Sequence, residues 1–270
     1  MITYKTATTG LAIVTGASAG LGIEFAKLLQ VRGYYLLLVA RRRDRLESVL
    51  NSLGGSEAGS ILVADLSTQA GRDSLISATL KLNQSYPLKV LINNAGFGLV
   101  GRTLEMDASK LTQMVELNCI APLDLSRQLA PMMDKNGGGH ILNVCSTAAF
   151  QPLPYMACYA ATKSFLKSFS RALSVELAGY NISVLAHCPG PTKTEFHIAA
   201  GLEEKIDFLS SVPASGVARE AIEALFANKK LLINGLRNRF LATLAGLLPE
   251  NIVLLIGKLT LGQYVKKTSG

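Results

Sequence analysis

Short apolar runs rich in branched residues recur along the chain, separated by stretches whose apolar positions repeat with helical spacing. The runs Leu11 to Thr15, Tyr34 to Ala40, Ser60 to Leu66, Lys89 to Ala95, His140 to Ser146, Ile182 to His187 and Leu231 to Asn234 read as strands. Between them, residues 21–32, 43–53, 68–84, 107–134, 155–178 and 215–228 read as helices. Strict alternation of this kind predicts a parallel sheet with helices on both faces, because short right-handed crossovers leave them nowhere else to lie. The expected fold is therefore α/β, a single doubly wound Rossmann-type domain with a sheet of about seven strands. No solenoid-length repeat or low-complexity linker divides it, and Gly137 to Gly139 fall where a flexible helix-to-strand turn suffices.

The pattern changes beyond Leu236. NRFLATLAGLLPENIVLLIGKLTLGQYVKK holds two apolar stretches broken at Pro249-Glu250-Asn251, so we divide the chain into a main domain, 1–235, and a helical extension, 236–270. Neither stretch reaches the ~20 residues a spanning helix needs. With Arg237, Arg239, Lys258, Lys266 and Lys267 at its edges, the tail reads as a pocket cover or subunit-interface element in preference to a membrane-surface segment.

Composition narrows the class. A chain of 270 residues with 49% hydrophobic and 17% charged residues can build a large core and is not disordered. The N-terminus lacks the layout of a signal peptide, which leads us to expect a cytoplasmic location. Cys119, Cys145, Cys158 and Cys188 show no C-x-x-C spacing and no His cluster. They read as small apolar residues, with neither a disulfide framework nor a metal site. His140, His187 and His197 likewise read as structural. The net charge of +8 admits nucleic acid, an anionic membrane or a phosphorylated ligand as partner, and only the location of the charge can choose. Its densest cluster is Arg41, Arg42, Arg43 and Arg45, directly after the second strand.

Two stretches carry candidate chemistry. TGASAGLG follows the first strand and opens a helix, with glycines at Gly16, Gly20 and Gly22. Glycines let the backbone approach a phosphate closely, and the free amides and dipole of the helix N-terminus face the anion. YAATK places Tyr159 and Lys163 one helical turn apart, close enough to share one small space. By itself the pair is either a catalytic couple or an accident of a half-polar helix face.

The G-x-x-x-G-x-G spacing, together with Asn93-Asn94-Ala95-Gly96, Ser146 and Tyr159/Lys163 in that order, resembles the short-chain dehydrogenase/reductase family. The resemblance runs from about Leu11 to Asn234. It implies that Tyr159 is the general acid in carbonyl reduction, that Lys163 tunes it and holds the nicotinamide ribose, and that Ser146 binds the substrate oxygen. An ammonium about 5 Å from a phenol, at an effective dielectric near 20, favours phenolate by roughly 3 kcal/mol, so the tuning is physically adequate. Asn118 is implied to support a proton-relay water beside Lys163. For the cofactor, the resemblance implies Gly16, Ser18, Gly20, Leu21, Gly22, Asp65, Leu66, Asn93, Ala95, Gly96, Pro189, Gly190 and Thr192 as contacts, with Tyr159 and Lys163. Ala40 stands where NAD-binding relatives carry an acidic residue and Arg41 follows it, which points to NADP(H), while Arg43 and Arg45 are read as facing water.

That placement absorbs the basic cluster and leaves no nucleic-acid site. Phe196, Ile198, Leu202, Ile206, Phe208 and Leu209, in a substrate loop over about 191–214, join Leu99, Val100, Phe150, Leu153 and Tyr155 in an expected apolar pocket for a small hydrophobic carbonyl or alcohol. The family also implies a homo-oligomer. The competing reading is a non-catalytic NADP(H) sensor, for which an intact Ser-Tyr-Lys set has no use.

Overall fold

All six residues of Gly10–Thr15 are buried, as a strand must be when helices cover both faces of its sheet. In the computed structural model residues 8–193, 212–262 and 265 are described; Phe196 to Leu209, with the aromatic and aliphatic residues expected there and His197, lie outside them.

The chain alternates as β1 (Gly10–Thr15), α1 (Leu21–Val31), β2 (Tyr34–Ala40), α2 (Arg43–Ser52), β3 (Gly59–Val63), α3 (Gln69–Leu82) and β4 (Leu88–Asn93). It continues with α4 (Ala108–Val115), α5 (Ala121–Lys135), β5 (Gly139–Val144), α6 (Ala157–Glu176) and β6 (Ile182–Cys188). A short parallel pair, β7 (Thr192–Lys193) and β8 (Val212–Pro213), precedes α7 (Ala214–Phe226), β9 (Leu231–Ile233), α8 (Leu236–Leu247) and α9 (Glu250–Gly262). The main sheet has seven parallel strands in the order β3-β2-β1-β4-β5-β6-β9. Strand order reverses between β1 and β4, the position at which an open α/β sheet leaves a crevice beyond its carboxyl ends.

Alternate residues of each strand point to opposite faces, so the sheet has two cores. Ala12, Val14, Leu36 and Leu38 pack with Phe25, Leu46, Ile222 and Leu225 under α1, α2 and α7. Leu11, Ile13, Leu37 and Val39 pack with Leu75, Leu125 and Leu129 under α3 and α5. Truncating Phe25, fully buried in the first core, to Ala costs about 3–5 kcal/mol.

Differences from the sequence reading are local. The helix expected over 107–134 is divided by a π-helical turn, Glu116–Ile120, which carries Asn118 into the interior. The third strand ends at Val63 instead of Leu66, because Asp65 opens a turn: its Oδ1 accepts from Ser67 N at 3.0 Å and Ser67 Oγ at 2.7 Å, two residues ahead. The tail forms two helices. Among the described residues no helix is long and apolar enough to cross a membrane.

Candidate active site

The glycine turn is stapled to the end of β4 by residues whose role the motif alone does not reveal. Thr15 Oγ1 donates to Ile92 O at 3.0 Å and accepts from Asn94 N at 2.9 Å and Ala95 N at 3.0 Å. Asn94 Nδ2 returns the contact, donating to Thr15 O at 2.9 Å and Gly16 O at 3.2 Å. Gly16 and Gly20 adopt positive φ, 65° and 54°, which side chains disfavour. Gly22 serves packing: a Cβ there would stand 2.2 Å from Gly16 O. α1 then begins with no side-chain cap; Gly22 N bonds Ala19 O at 3.2 Å, and the helix N-terminus suits an anion.

At the end of β2 the arginines turn into the same cleft. Arg41, Arg42 and Arg45 all line it, and Arg42 Nη2 donates to Ser18 Oγ at 3.3 Å. Arg45, expected to face water, is therefore on the cleft rim, one helical turn beyond Arg42 and on the same side of α2; Arg43 does face water, 3.6 Å from Glu47. Guanidinium groups beside the N-terminus of α1 form a donor set suited to the two phosphate positions of a phosphorylated dinucleotide, and among the described residues that line this wall none carries a carboxylate.

Ser146 lies two residues past β5, where it caps the 3-10 turn Thr147–Phe150 by accepting from Ala148 N at 3.1 Å. Its hydroxyl also bonds that of Tyr159. Three side chains of α6 hold the segment. Lys163 Nζ donates to Val144 O at 2.8 Å, while Ser164 Oγ at 3.1 Å and Lys167 Nζ at 2.7 Å both donate to Ala149 O. Lys167 also covers the Phe150 ring, 3.9 Å from its centre. Residues 163, 164 and 167 share one helix face, a spacing in the sequence that would have revealed the brace had the strand-end partner been known.

Burial dominates the electrostatics. It pushes the Tyr159 phenol up to about 12, partly offset by the bond to Ser146, and it pulls the Lys163 ammonium below its ordinary value. The phenolate expected from Lys163 alone is thus outweighed, since desolvation penalises both charged forms and the ammonium is engaged by Val144.

The cleft encloses about 890 Å³ and is lined by Gly16, Ser18, Gly20, Leu21, Arg41, Ala95, Gly96, Ser146, Tyr159, Lys163, Pro189, Gly190 and Thr192 among the residues singled out from sequence. Its other wall is apolar, with Phe97, Leu117, Leu153, Met156 and Leu261. The remaining sequence candidates lie off the wall. Asp65 closes a turn onto Ser67 ahead of α3, whose N-cap is Thr68, and Leu66 packs in the second core. Asn93 is buried, donating to Asn143 Oδ1 at 2.8 Å and Ser126 Oγ at 3.3 Å. Asn118 donates to Phe97 O at 2.9 Å and Thr162 Oγ1 at 3.1 Å, and accepts from Phe97 N at 3.2 Å. It lies directly behind Gly96.

Of the expected pocket residues, Leu153 lines the cleft, Leu99 packs around Tyr159, and Phe150 sits with Cys145 and Leu166. Tyr155, at φ 66°, meets Gly262 of α9. Sequence reasoning did not find Asn238, which presses on Gly190 so closely that a Cβ there would be 2.3 Å from its Nδ2.

Comparison with known proteins fits this arrangement. Over 178 residues the chain is 33% identical to a very-long-chain 3-oxoacyl-CoA reductase of Podospora anserina, matching 64% of this chain but only about half, 52%, of that relative. A short-chain dehydrogenase from Sphingobium yanoikuyae, solved in complex with NADPH, superposes with a TM-score of 0.78 at 26% identity, covering 97% of this chain and 98% of the other. The bulky-bulky ketone specific alcohol dehydrogenase from Comamonas testosteroni gives 0.74 at 26% identity, with 97% of both chains covered. Residues 10–205 match the short chain dehydrogenase family, and this chain belongs to that family.

Proposed function

We propose that the chain is an NADPH-dependent carbonyl reductase, reversible as an alcohol dehydrogenase, that acts on a hydrophobic ketone, aldehyde or 3-oxoacyl compound. The observation that carries this reading is that Ser146, a buried Tyr159 and Lys163 line one cleft, with Ser146 beside the phenol.

The cofactor supplies the hydride when bound. The glycine turn and the N-terminus of α1 hold its pyrophosphate. Arg41, Arg42 and Arg45, with Ser18, take the 2′-phosphate, and Ala40 leaves no carboxylate to accept from a free ribose hydroxyl or to repel a phosphate.

On the substrate side, Ser146 Oγ accepts from Ala148 N and keeps its own hydrogen to donate, so it can turn from Tyr159 to a carbonyl oxygen that gains charge. Tyr159 gives that oxygen its proton. A phenol held at about 12 keeps the proton until the oxygen becomes strongly basic, as a general acid in reduction should. Lys163 positions the ribose hydroxyls from beside the Val144 carbonyl, and Asn118 fixes the backbone of Phe97 behind Gly96. Phe97, Leu153, Met156 and Leu261 exclude water from the reacting end and favour an apolar substituent. The activities that the Podospora and Comamonas relatives are named for, on a very long acyl chain and on bulky ketones, support this substrate class.

The test is NADPH oxidation with a panel of apolar ketones, aldehydes and 3-oxoacyl thioesters, with NADH run in parallel. Turnover with NADPH and at least one apolar carbonyl compound is expected. Absence of turnover across the panel contradicts the proposal.

A further inference from the structure

The extension from Leu236 closes one wall of the cleft and turns a second, unused surface outward. On its inner side α9 buries Val253, Gly257 and Leu261, one turn apart, with Gly257 seated on Pro154: a Cβ there would stand 2.9 Å from the proline ring. Thr260 and Leu261 reach the cleft from this side. On the opposite side Ile252, Leu255, Ile256 and Leu259 form a stripe at helical spacing, with Leu255 56% and Leu259 68% exposed. α8 repeats the arrangement. Leu236, Phe240 and Leu247 share one face, and they are 81%, 66% and 77% exposed.

A monomer rarely leaves so many large apolar side chains in water on two successive helices. The helices are 12 and 13 residues long, too short to span a bilayer and long enough to lie within its interface. Their charge is one-sided. Arg237, Arg239 and Lys258 face one carboxylate, Glu250, over residues 236–262, within a chain of net charge +8. Arg239 is shared with Glu220 at 3.3 Å, whereas Arg237 and Lys258 are exposed at opposite ends of the extension. Apolar stripes rimmed by cations are complementary to an anionic lipid surface. Pairing with a second copy through the same face would bring like charges together.

We propose that α8 and α9 dock the protein peripherally on an anionic phospholipid surface. Docking stands on the two helix faces and their charges; one consequence rests on the carbonyl-reductase reading, namely that the apolar wall at Leu153, Met156 and Leu261 then draws hydrophobic substrate from the bilayer side. Activity towards a water-soluble carbonyl compound does not depend on docking, so each idea can fail without the other.

The experiment is flotation of the full chain with phosphatidylcholine vesicles, with and without phosphatidylserine, at low and high salt. Flotation with the phosphatidylserine vesicles is expected, weaker at high salt because exposed charges are screened. The double variant Phe240→Glu/Leu255→Glu, with its thermal midpoint checked, should float about tenfold less or worse. A second variant, Arg237→Glu/Lys258→Glu, keeps the stripes and should lose the preference for phosphatidylserine. Equal flotation of wild type and both variants overturns the proposal. So does wild-type protein that ignores vesicles but sediments as a larger species which Phe240→Glu/Leu255→Glu dissociates, since a second copy then covers the face.

Discussion

The Lys163 ammonium lies 5.8 Å from the centre of the Tyr159 ring. Charge at that distance favours phenolate, yet burial outweighs it and holds the phenol near 12. The proton therefore stays on Tyr159 throughout the neutral range. Carbonyl reduction, which needs the protonated phenol, should keep its kcat/KM between about pH 6 and 9 as far as this group is concerned, whereas alcohol oxidation, which needs the phenolate, should rise with pH. Parallel pH profiles in the two directions check the sign.

Arg42, more than Arg41, should decide cofactor choice, because its guanidinium is the one already oriented by Ser18. Loss of a charge-assisted bond to phosphate costs about 1.5–3 kcal/mol, so Arg42→Ala should raise the KM for NADPH roughly 10- to 150-fold. The KM for NADH, which lacks the 2′-phosphate, should change little. Equal effects on both cofactors would assign Arg42 to the shared part of the molecule.

Gly96 separates the cleft from Asn118. A methyl group there would stand 2.8 Å from Asn118 Oδ1 and 3.4 Å from Lys163 Nζ, so Gly96→Ala must displace one of them. Overpacking of this kind costs about 1–3 kcal/mol, visible as a lower thermal midpoint. Turnover should fall tenfold or more, beyond what the residual folded fraction explains.

His187 shows how burial becomes pH dependence. Asn234 Nδ2 donates to Glu220 Oε2 at 2.7 Å, so its oxygen is the acceptor for His187 Nε2 at 2.6 Å and the ring is neutral with Nε2 protonated. Among the described residues Nδ1 meets no partner. Burial pulls the group down to about 4 from 6.5, so the unfolded chain takes up this proton first as pH falls. Its stabilisation, up to about 3 kcal/mol, is present above pH 6.5 and lost as pH drops towards 4. Thermal midpoints of wild type and His187→Gln over that range should converge on acidification.

Much of this was legible before the coordinates. β1, β2 and β6 are near-continuous branched runs, and a strand buried on both faces can hardly read otherwise. TGASAGLG, Ser146 and YAATK named the cleft because close approach to phosphate and a shared helix face impose local spacing. What escaped depends on contacts between distant segments. The helix break at Glu116–Ile120 is announced only by Pro122, which has no N–H to give the carbonyl of residue 118; that Asn118 is drawn inward there depends on the distant Phe97 and Thr162. Asn238 touches Gly190 across 48 positions, and the choice of Arg42 over its neighbours rests on where Ser18 stands. Lys163 stands close to Tyr159 as the spacing requires, but the electrostatic balance was incomplete: desolvation belongs to the whole fold and has no signature in a pentapeptide.

The central claim is that Tyr159 passes the proton. Replacing it by Phe removes one hydroxyl from a buried ring and leaves the glycine turn, the arginines and Lys163 in place. Turnover of an apolar carbonyl compound should fall about 10²–10⁴-fold, the usual contribution of a positioned acid, while the Kd for NADPH stays within about twofold. Turnover retained in Tyr159→Phe, with NADPH still bound, would contradict the account.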